Sequence, residues 1–269
     1  MQASVLGVVE GLTEFLPVSS TGHLTVTERL FNLKIDDPGV TAFTAVVQFG
    51  AVIAVLIYFR HDLWRLIKAG VAAIREPSKR SEPAAREAGF IIIGTIPIAI
   101  VGLAAKHAVE GPLRNLGVIA GALIVWSGVM VIAERRAGQN RDERMLRLPD
   151  AVVMGLVQCV ALVPGVSRSG ATISAGLLRG IDRVSATRLS FFLAIPALTA
   201  ATLLELRKAF GHGVGVGPTL VGTAIAFVVA YVSVAWLLRF VSGHKITAFV
   251  PYRLAAGIVI IILLAVGTL

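Results

Sequence analysis

Two glutamates within an apolar run are the first residues of this sequence that could take part in chemistry. Glu10 and Glu14 lie four positions apart, so a helix places both on one face. Their like charges repel unless a proton, a cation or an arginine intervenes. A divalent metal that bridges the oxygens of a bound phosphate would relieve the repulsion. The structural alternative is a protonated glutamate that hydrogen-bonds across an interface within the protein.

A serine and a histidine follow the acidic pair. His23 comes three residues after Ser20, about one helical turn away, so both side chains could face the same pocket. The histidine could take a proton from a nucleophilic serine or from water, protonate a leaving group, or attack phosphorus itself. The alternative is a capping or interfacial histidine without a chemical role.

Arg168 is the cationic counterpart in the second half of the chain. Its planar guanidinium binds phosphate through two parallel hydrogen bonds, and an arginine without such a role would be costly at membrane depth. The sequence therefore predicts that Arg168 binds phosphate, and that Thr172, one turn later, adds a hydroxyl donor.

Serine and threonine residues cluster in two short polar breaks of the apolar sequence, one just after Glu14 and one around Arg168. They act first as helix N-caps, but a capped helix start also presents free N–H groups and a positive dipole end to an anion. Two such starts suit a ligand with two adjacent negative groups, such as a pyrophosphate. Gln48 interrupts an apolar stretch. Its amide either hydrogen-bonds to the glutamates and supports them as ligands, or it makes a hydrogen bond between helices. The predicted anion-binding residues besides Arg168 and Thr172 are Ser19, Thr21, Ser167, Ser169 and Gln48.

The two polar breaks are copies of one another. Val18-Ser19-Ser20-Thr21-Gly22-His23 returns 148 positions later as Val166-Ser167-Arg168-Ser169-Gly170-Ala171. The preceding runs match at the same spacing: Ala3, Val5, Gly7 and Val9 correspond to Ala151, Val153, Gly155 and Val157. This indicates a duplicated unit. The copies differ in chemistry, because the first supplies carboxylates, a hydroxyl and an imidazole, and the second supplies a guanidinium.

Composition predicts an all-α polytopic membrane protein. Hydrophobic residues make up 56% and charged residues 15% of the 269 positions, which excludes an ordinary soluble domain. Six stretches are long enough to span a bilayer: about 42–59, 90–106, 116–133, 186–205, 219–239 and 252–269. The stretches 3–17 and 151–163 are too short. Each ends at a proline and continues into a second half-length helix, roughly 22–32 and 170–180, which predicts two re-entrant hairpins, 3–32 and 151–180.

The basic residues indicate the orientation of the chain. Of the 25 Lys and Arg residues, 18 fall on one side of this topology, among them Arg253, and 6 on the other, while Arg168 is left at membrane depth. Cytoplasmic loops accumulate positive charge, so the first side is predicted to be cytoplasmic. Three spans separate the hairpins, so the copies enter from opposite sides. This makes 1–149 and 150–269 an inverted-topology repeat within one integral-membrane domain, 1–269, with its site between the copies.

The net charge of +9 does not indicate a nucleic-acid partner. The basic residues are spread over loops without aromatic residues between them, so they reflect orientation and attraction to anionic lipid. The partner is therefore the lipid bilayer. The oligomeric state stays open, a homodimer included.

Both breaks resemble the signatures of a known family. The run from Gly7 to His23, Gly-Val-Val-Glu-Gly-Leu-Thr-Glu-Phe-Leu-Pro-Val-Ser-Ser-Thr-Gly-His, closely resembles the N-terminal signature of the bacitracin-resistance type undecaprenyl-pyrophosphate phosphatases. Pro164–Thr172 resembles the same family's second signature, Pro-Gly-x-Ser-Arg-Ser-x-x-Thr. Hydropathy agrees from end to end, so the resemblance covers essentially the whole chain.

The resemblance implies a specific reaction: removal of the terminal phosphate from a C55 isoprenyl pyrophosphate in the bacterial inner membrane, which regenerates the carrier lipid of cell-wall synthesis. Glu10 and Glu14 would hold metal or water, Ser20 and His23 would be nucleophile and acid/base partner, and Arg168 would clamp the pyrophosphate. The resemblance also implies a divalent cation, Mg²⁺ or Ca²⁺, a site open to the outer face, and competition by bacitracin for the lipid.

A transporter is the competing hypothesis. Inverted repeats with paired re-entrant hairpins are typical of secondary transporters, so the protein could move a phosphorylated lipid or an anion without chemistry, or combine flipping with hydrolysis. A transporter would tolerate loss of the Ser20 hydroxyl far better than a phosphatase. Among enzymatic mechanisms, the sequence leaves Ser20, His23 and a water molecule as alternative nucleophiles.

Overall fold

The six apolar stretches form six long helices. The computed structural model describes residues 1–34, 37–209 and 215–267. Within these ranges the helices are α1 Gln2–Thr13, α2 Ser20–Leu30, α3 Pro38–Tyr58, α4 Arg60–Arg75, α5 Pro83–Ala104, α6 Lys106–Glu110, α7 Leu116–Arg136, α8 Leu148–Val160, α9 Arg168–Leu178, α10 Arg183–Ala209, α11 Val216–Gly243 and α12 Val250–Ala265. Three short 3-10 helices, Pro77–Ser81, Glu143–Met145 and Ile246–Phe249, join them, and the described residues contain no β-strand.

Six segments of the described chain are long and apolar enough to cross a membrane, as predicted. They are Gly39–Tyr58, Pro83–Ala104, Leu116–Arg136, Arg183–Glu205, Val216–Gly243 and Ile246–Ala265. The second span begins seven positions before the predicted 90–106, and the last begins six positions before the predicted 252–269, whose final two residues lie outside the described chain. The all-α, multi-pass character of the protein is thereby confirmed.

The two predicted breaks separate four short helices. α1 ends at Thr13 and α2 begins at Ser20, while α8 ends at Val160 and α9 begins at Arg168. Both second helices begin two residues earlier than predicted. The reason is local, because the caps are Ser19 and Ser167, whose hydroxyl oxygens accept the N–H of the glycine three residues later, at 3.4 and 3.2 Å.

Each short first helix packs against a span from the other half of the chain. α1 packs against α11, and α8 packs against α5. Glycines allow the close approach in both pairs, because a Cβ on Gly7 would lie 2.5 Å from the carbonyl oxygen of Gly222, and one on Gly155 would lie 2.0 Å from that of Gly94. Gly7 and Gly155 are 148 positions apart, so they are equivalent positions of the duplicated unit. In each copy this glycine allows the short helix to pack closely on a glycine of a span.

An alanine at Gly155 should therefore destabilise the protein. Its methyl group would overlap the backbone of α5, which cannot rotate away, and overpacking of this kind costs about 1–3 kcal/mol. We expect the Gly155→Ala variant to unfold several degrees below the wild type in detergent. Gly128→Ala is the matched control, since a Cβ there meets no atom within 4 Å. Equal unfolding temperatures for the two variants would contradict the close packing.

Candidate active site

The two breaks meet at one cavity of about 210 Å³. Its polar lining comes from both copies of the duplicated unit, and its apolar lining comes from α5, the end of α8 and α10. The lining residues are Glu14, Ser19, Ser20, Thr21, Gln48, Ile98, Gln158, Ala161, Leu162, Pro164, Ser167, Arg168, Ala197, Leu198 and Ala201. Seven of the sequence-predicted residues, drawn from both halves of the chain, are thus brought to one place.

Hydrogen bonds join the breaks directly. The N–H of Gly165 donates to the Ser19 hydroxyl at 3.0 Å, and the Ser169 hydroxyl donates to the carbonyl of Leu16 at 2.9 Å. Ser19 and Ser167 both have left-handed backbone geometry, with φ of 76° and 74°. Such conformations are costly for a serine and persist where the surroundings impose them, typically at functional sites. The same geometry in both copies fixes two helix starts at the cavity.

Glu14 is the link between the two copies. Its side chain is almost fully buried, and its two oxygens have different partners. The Ser20 hydroxyl donates to Oε2, and Nη2 of Arg168 donates to Oε1 at 2.7 Å. In its ionised form this carboxylate can accept a proton from the serine. A hydroxyl and a cation therefore share one carboxylate, the candidate base, at the cavity.

His23 has partners other than Ser20. Its Nδ1 lies 2.7 Å from the carbonyl oxygen of Ser19, and its Nε2 lies 2.6 Å from the hydroxyl of Tyr252, whose ring stacks on the imidazole. A carbonyl can only accept, so Nδ1 carries the proton and a neutral ring accepts from Tyr252 at Nε2. His23 does not line the cavity. The structure gives the serine a carboxylate partner, and gives the histidine a position behind the strained cap.

Glu10 is buried without a hydrogen bond from any described residue. Neither of its carboxylate oxygens has a partner, although the side chain is fully enclosed. It lines a second cavity of about 170 Å³, which shares Ser20, Thr21 and Gln48 with the first. The amide of Gln48 also makes no hydrogen bond to a described residue. A buried carboxylate in this state requires a proton or a cation.

Two predicted ligands lie away from the cavity. Ser169 donates to Leu16, as described, and Thr172 is hydrogen-bonded to the carbonyl of Arg168 at 2.8 Å and to the hydroxyl of Ser190 at 2.5 Å. Neither residue is part of the cavity lining. They hold α9 in place, because each turns its hydroxyl toward the surrounding protein.

Arg253 is the main residue that sequence reasoning missed. The charge count assigned it to the cytoplasmic loops, but its side chain is completely buried in the first turn of α12. Its guanidinium donates to the carbonyl of Pro17 at 2.8 Å in the first break, and to those of Gly165 and Val166 at 3.0 and 3.1 Å in the second. Further bonds reach Leu123 and Ser127 of α7. Arg253 therefore holds both breaks together.

A second buried charge was also missed. Glu28, in the last turn of α2, is fully enclosed and pairs with Arg114 at 3.1 Å. Glu28 lies in the predicted half-helix 22–32, but it is outside both family signatures and was not predicted to be buried. Of the ionisable residues that the sequence singled out, Glu10 and Glu14 are buried and His23 and Arg168 are partly exposed, whereas the buried Glu28 and Arg253 were not anticipated.

The chain is similar to known proteins over nearly its whole length. The family model described as bacitracin resistance protein BacA matches residues 3–259. "Undecaprenyl-diphosphatase 3" of Frankia casuarinae is 53% identical over 99% of this chain and 97% of its own length. "Undecaprenyl-diphosphatase" of Acidothermus cellulolyticus is 51% identical over 99% and 97%, and "Undecaprenyl-diphosphatase 1" of Streptomyces avermitilis 52% over 100% and 97%. The chain belongs to the BacA family of bacitracin resistance proteins.

Proposed function

We propose that this protein hydrolyses undecaprenyl pyrophosphate to undecaprenyl phosphate and inorganic phosphate, and so returns the carrier lipid to peptidoglycan synthesis. The names of its relatives specify the substrate. The observation that carries the chemistry is the carboxylate of Glu14, which the Ser20 hydroxyl and the Arg168 guanidinium both contact. This arrangement supplies a nucleophile, its base and a cation for the phosphate oxygens.

Ser20 is the nucleophile in this mechanism. Its oxygen forms a bond to the terminal phosphorus while its proton passes to Oε2 of Glu14, with which it is already hydrogen-bonded. The bond from that phosphorus to the bridging oxygen breaks, and Glu14 returns the proton to the departing oxygen. Undecaprenyl phosphate leaves, and the terminal phosphoryl group remains on the serine.

Water completes the reaction. Glu14 is again ionised after the first step, so it accepts a proton from a water molecule that attacks the phosphoserine. The bond between phosphorus and the serine oxygen breaks, and the proton passes from Glu14 to Ser20. Inorganic phosphate is released, and both side chains return to their starting states.

Arg168 and the helix starts stabilise the charge that develops on phosphorus. Among the described residues the guanidinium of Arg168 bonds only to Glu14, through Nη2, so its remaining donors can face the equatorial oxygens. The first N–H groups of α2 and α9 add the positive ends of two helix dipoles. These groups are held in advance by the strained caps, which reduces the reorganisation needed during reaction.

We also propose that Glu10 and Glu14 hold a divalent cation, Mg²⁺ or Ca²⁺. The support is the unpartnered carboxylate of Glu10 and the hard oxygen donors of the pair. The described residues contain no cluster of three or more His, Cys, Asp or Glu, so phosphate oxygens would complete the ligand set. Such an ion would neutralise negative charge on the pyrophosphate.

The membrane arrangement forms part of the proposal. α1–α2 and α8–α9 are re-entrant hairpins of an inverted repeat in the bacterial inner membrane, with the site open to the periplasm. Support comes from the crossed packing of α1 on α11 and α8 on α5, and from the matching geometry at Ser19 and Ser167. The lipid tail would lie between spans, and bacitracin would compete for the same lipid outside the membrane.

A transporter without chemistry is disfavoured by the same contacts. It would need groups that bind anions, but not a hydroxyl hydrogen-bonded to a carboxylate that could deprotonate it. The relatives are also named as phosphatases.

The test of the function is phosphate release by the purified protein in detergent. We expect release from C55 and C15 isoprenyl pyrophosphates with Mg²⁺ or Ca²⁺, and a sharp fall when a chelator is added. Glu10→Gln should remove most of the response to metal. Lipid binding without release under any divalent cation would overturn the enzymatic proposal and support a transporter. Release that a chelator leaves unchanged would overturn the cation site alone.

His23 is expected to act as a positioning residue. Its N–H fixes the carbonyl of Ser19, so His23→Ala should lower kcat roughly tenfold, the equivalent of one hydrogen bond of about 1.4 kcal/mol. An asparagine can donate from nearly the position of Nδ1, so His23→Asn should recover most of the activity. Equal losses in both variants, with a changed pH profile, would instead indicate a general acid or base.

A further inference from the structure

Gln158 is a buried amide without a partner. It is completely enclosed, neither Oε1 nor Nε2 has a hydrogen bond from any described residue, and its side chain lines the 210 Å³ cavity. Buried polar groups are nearly always paired, because an unpaired one loses its interactions with water and gains nothing. An amide left in this condition at a site cavity points to a ligand that completes it.

Gln158 is the copy-related counterpart of Glu10. The two positions are separated by the 148 residues of the repeat, and both side chains are fully buried without partners. The difference is one of charge. A carboxylate attracts a cation and repels phosphate, whereas a neutral amide offers two N–H donors to phosphate oxygens. The equivalent position therefore favours a cation in the first copy and phosphate in the second.

The surroundings of Gln158 distinguish the two ends of the substrate. Ala161 and Leu162 follow it in the turn at the end of α8, where the N–H of Ala161 donates to the carbonyl of Gln158 at 3.0 Å, and both belong to the apolar part of the cavity lining. Ile98 of α5 and Leu198 of α10 continue this apolar wall. Glu10, by contrast, lines the cavity that contains Arg114 and Glu205. The apolar wall beside Gln158 therefore suits an isoprenyl chain better than the charged lining beside Glu10.

We infer that Gln158 binds the phosphate that stays on the isoprenyl chain, and that it thereby orients the substrate with its terminal phosphate toward Ser20. The inference rests on the proposed function. The amide donates to oxygens of the lipid-side phosphate, where the apolar wall begins. It stabilises undecaprenyl phosphate as the leaving group and holds it as the product.

The test compares Gln158→Leu and Gln158→Met with the wild type. A hydrogen bond to a charged group contributes enough for a roughly 10- to 100-fold change in affinity. We expect the inhibition constant of farnesyl monophosphate to rise by that factor in both variants, while that of inorganic phosphate stays unchanged. Because the amide has no partner to lose, neither variant should unfold at a lower temperature. If Gln158 had only a structural role, both variants would unfold at a lower temperature and would bind farnesyl monophosphate as tightly as the wild type.

Thr202→Val is the matched control. Its hydroxyl is also buried without a partner among the described residues, but Thr202 does not line the cavity, so affinity for farnesyl monophosphate should be unchanged. Direct binding of farnesyl monophosphate is measured alongside hydrolysis. A wild type that fails to hydrolyse overturns the proposed function, whereas unchanged binding in either folded Gln158 variant overturns the inference. An equal loss for inorganic phosphate would place Gln158 at the terminal phosphate and overturn it as well.

Discussion

Ser20→Ala will lower kcat for phosphate release by roughly three orders of magnitude or more, with KM changed only a few-fold. The variant removes the oxygen that attacks phosphorus and leaves Arg168, both helix starts and Gln158 in place to bind the substrate. Glu14 loses one hydrogen bond but keeps its arginine partner. Steady-state phosphate release from C15 isoprenyl pyrophosphate measures both constants.

Glu14→Gln extends this prediction. The amide cannot take the serine proton, so a loss of similar size is expected, and the two residues should act as one unit. The double variant should then be little slower than the slower single variant, because removing the base has no further effect once the nucleophile is absent. Ser174→Ala, a buried hydroxyl outside the cavity, is the control and should stay near wild-type activity.

Two outcomes would contradict a serine nucleophile. A kcat within tenfold of the wild type in Ser20→Ala would leave a water molecule as the attacking group, with Glu14 as its base. Losses that multiply in the double variant would show that Ser20 and Glu14 act independently. Trapping of a phosphorylated serine in the wild type would support the two-step reaction directly.

The sequence predicted the fold to a large extent because its signals are local. Six apolar stretches and two proline-ended half-stretches are visible in hydropathy alone, and the repeat marks the breaks. Ser20, Glu14 and Arg168 were identified as chemical groups for the same reason. Their pairing was not, because spacing leaves Ser20 within reach of His23 and of Glu14 alike. The choice depends on how the chain turns between Thr13 and Ser20, where non-local contacts decide the geometry.

Arg253 shows where local reasoning fails. A basic residue in the first turn of an apolar helix has the same sequence pattern as an arginine at the membrane surface, which is by far the commoner case. Only the position of α12 against α7 and the two breaks reveals that this side chain points inward. Its partners are backbone carbonyls, which carry no residue type and leave no trace in the sequence.

Arg253→Met will destabilise the protein and lower its activity together. The variant leaves the carbonyls of Pro17, Gly165 and Val166 buried without this donor, and each unpaired group costs about 1–3 kcal/mol. The breaks would then shift relative to each other, and displacements of about 1 Å lower catalytic rates about a hundredfold. Thermal unfolding in detergent and kcat for phosphate release are the two measurements.

Arg253→Lys separates the two effects. A lysine keeps the charge and can reach one break, but its single nitrogen cannot donate to Pro17 and to the second break with the geometry of a planar fork. We therefore expect this variant to recover more stability than activity. Arg239→Met, at an exposed arginine of α11, is the control and should change neither. A folded Arg253→Met variant with wild-type kcat would contradict this role. It would show that Ser20, Glu14 and Arg168 keep their positions without Arg253, and that the hydrogen bond between Ser19 and Gly165 is enough to hold the two breaks together.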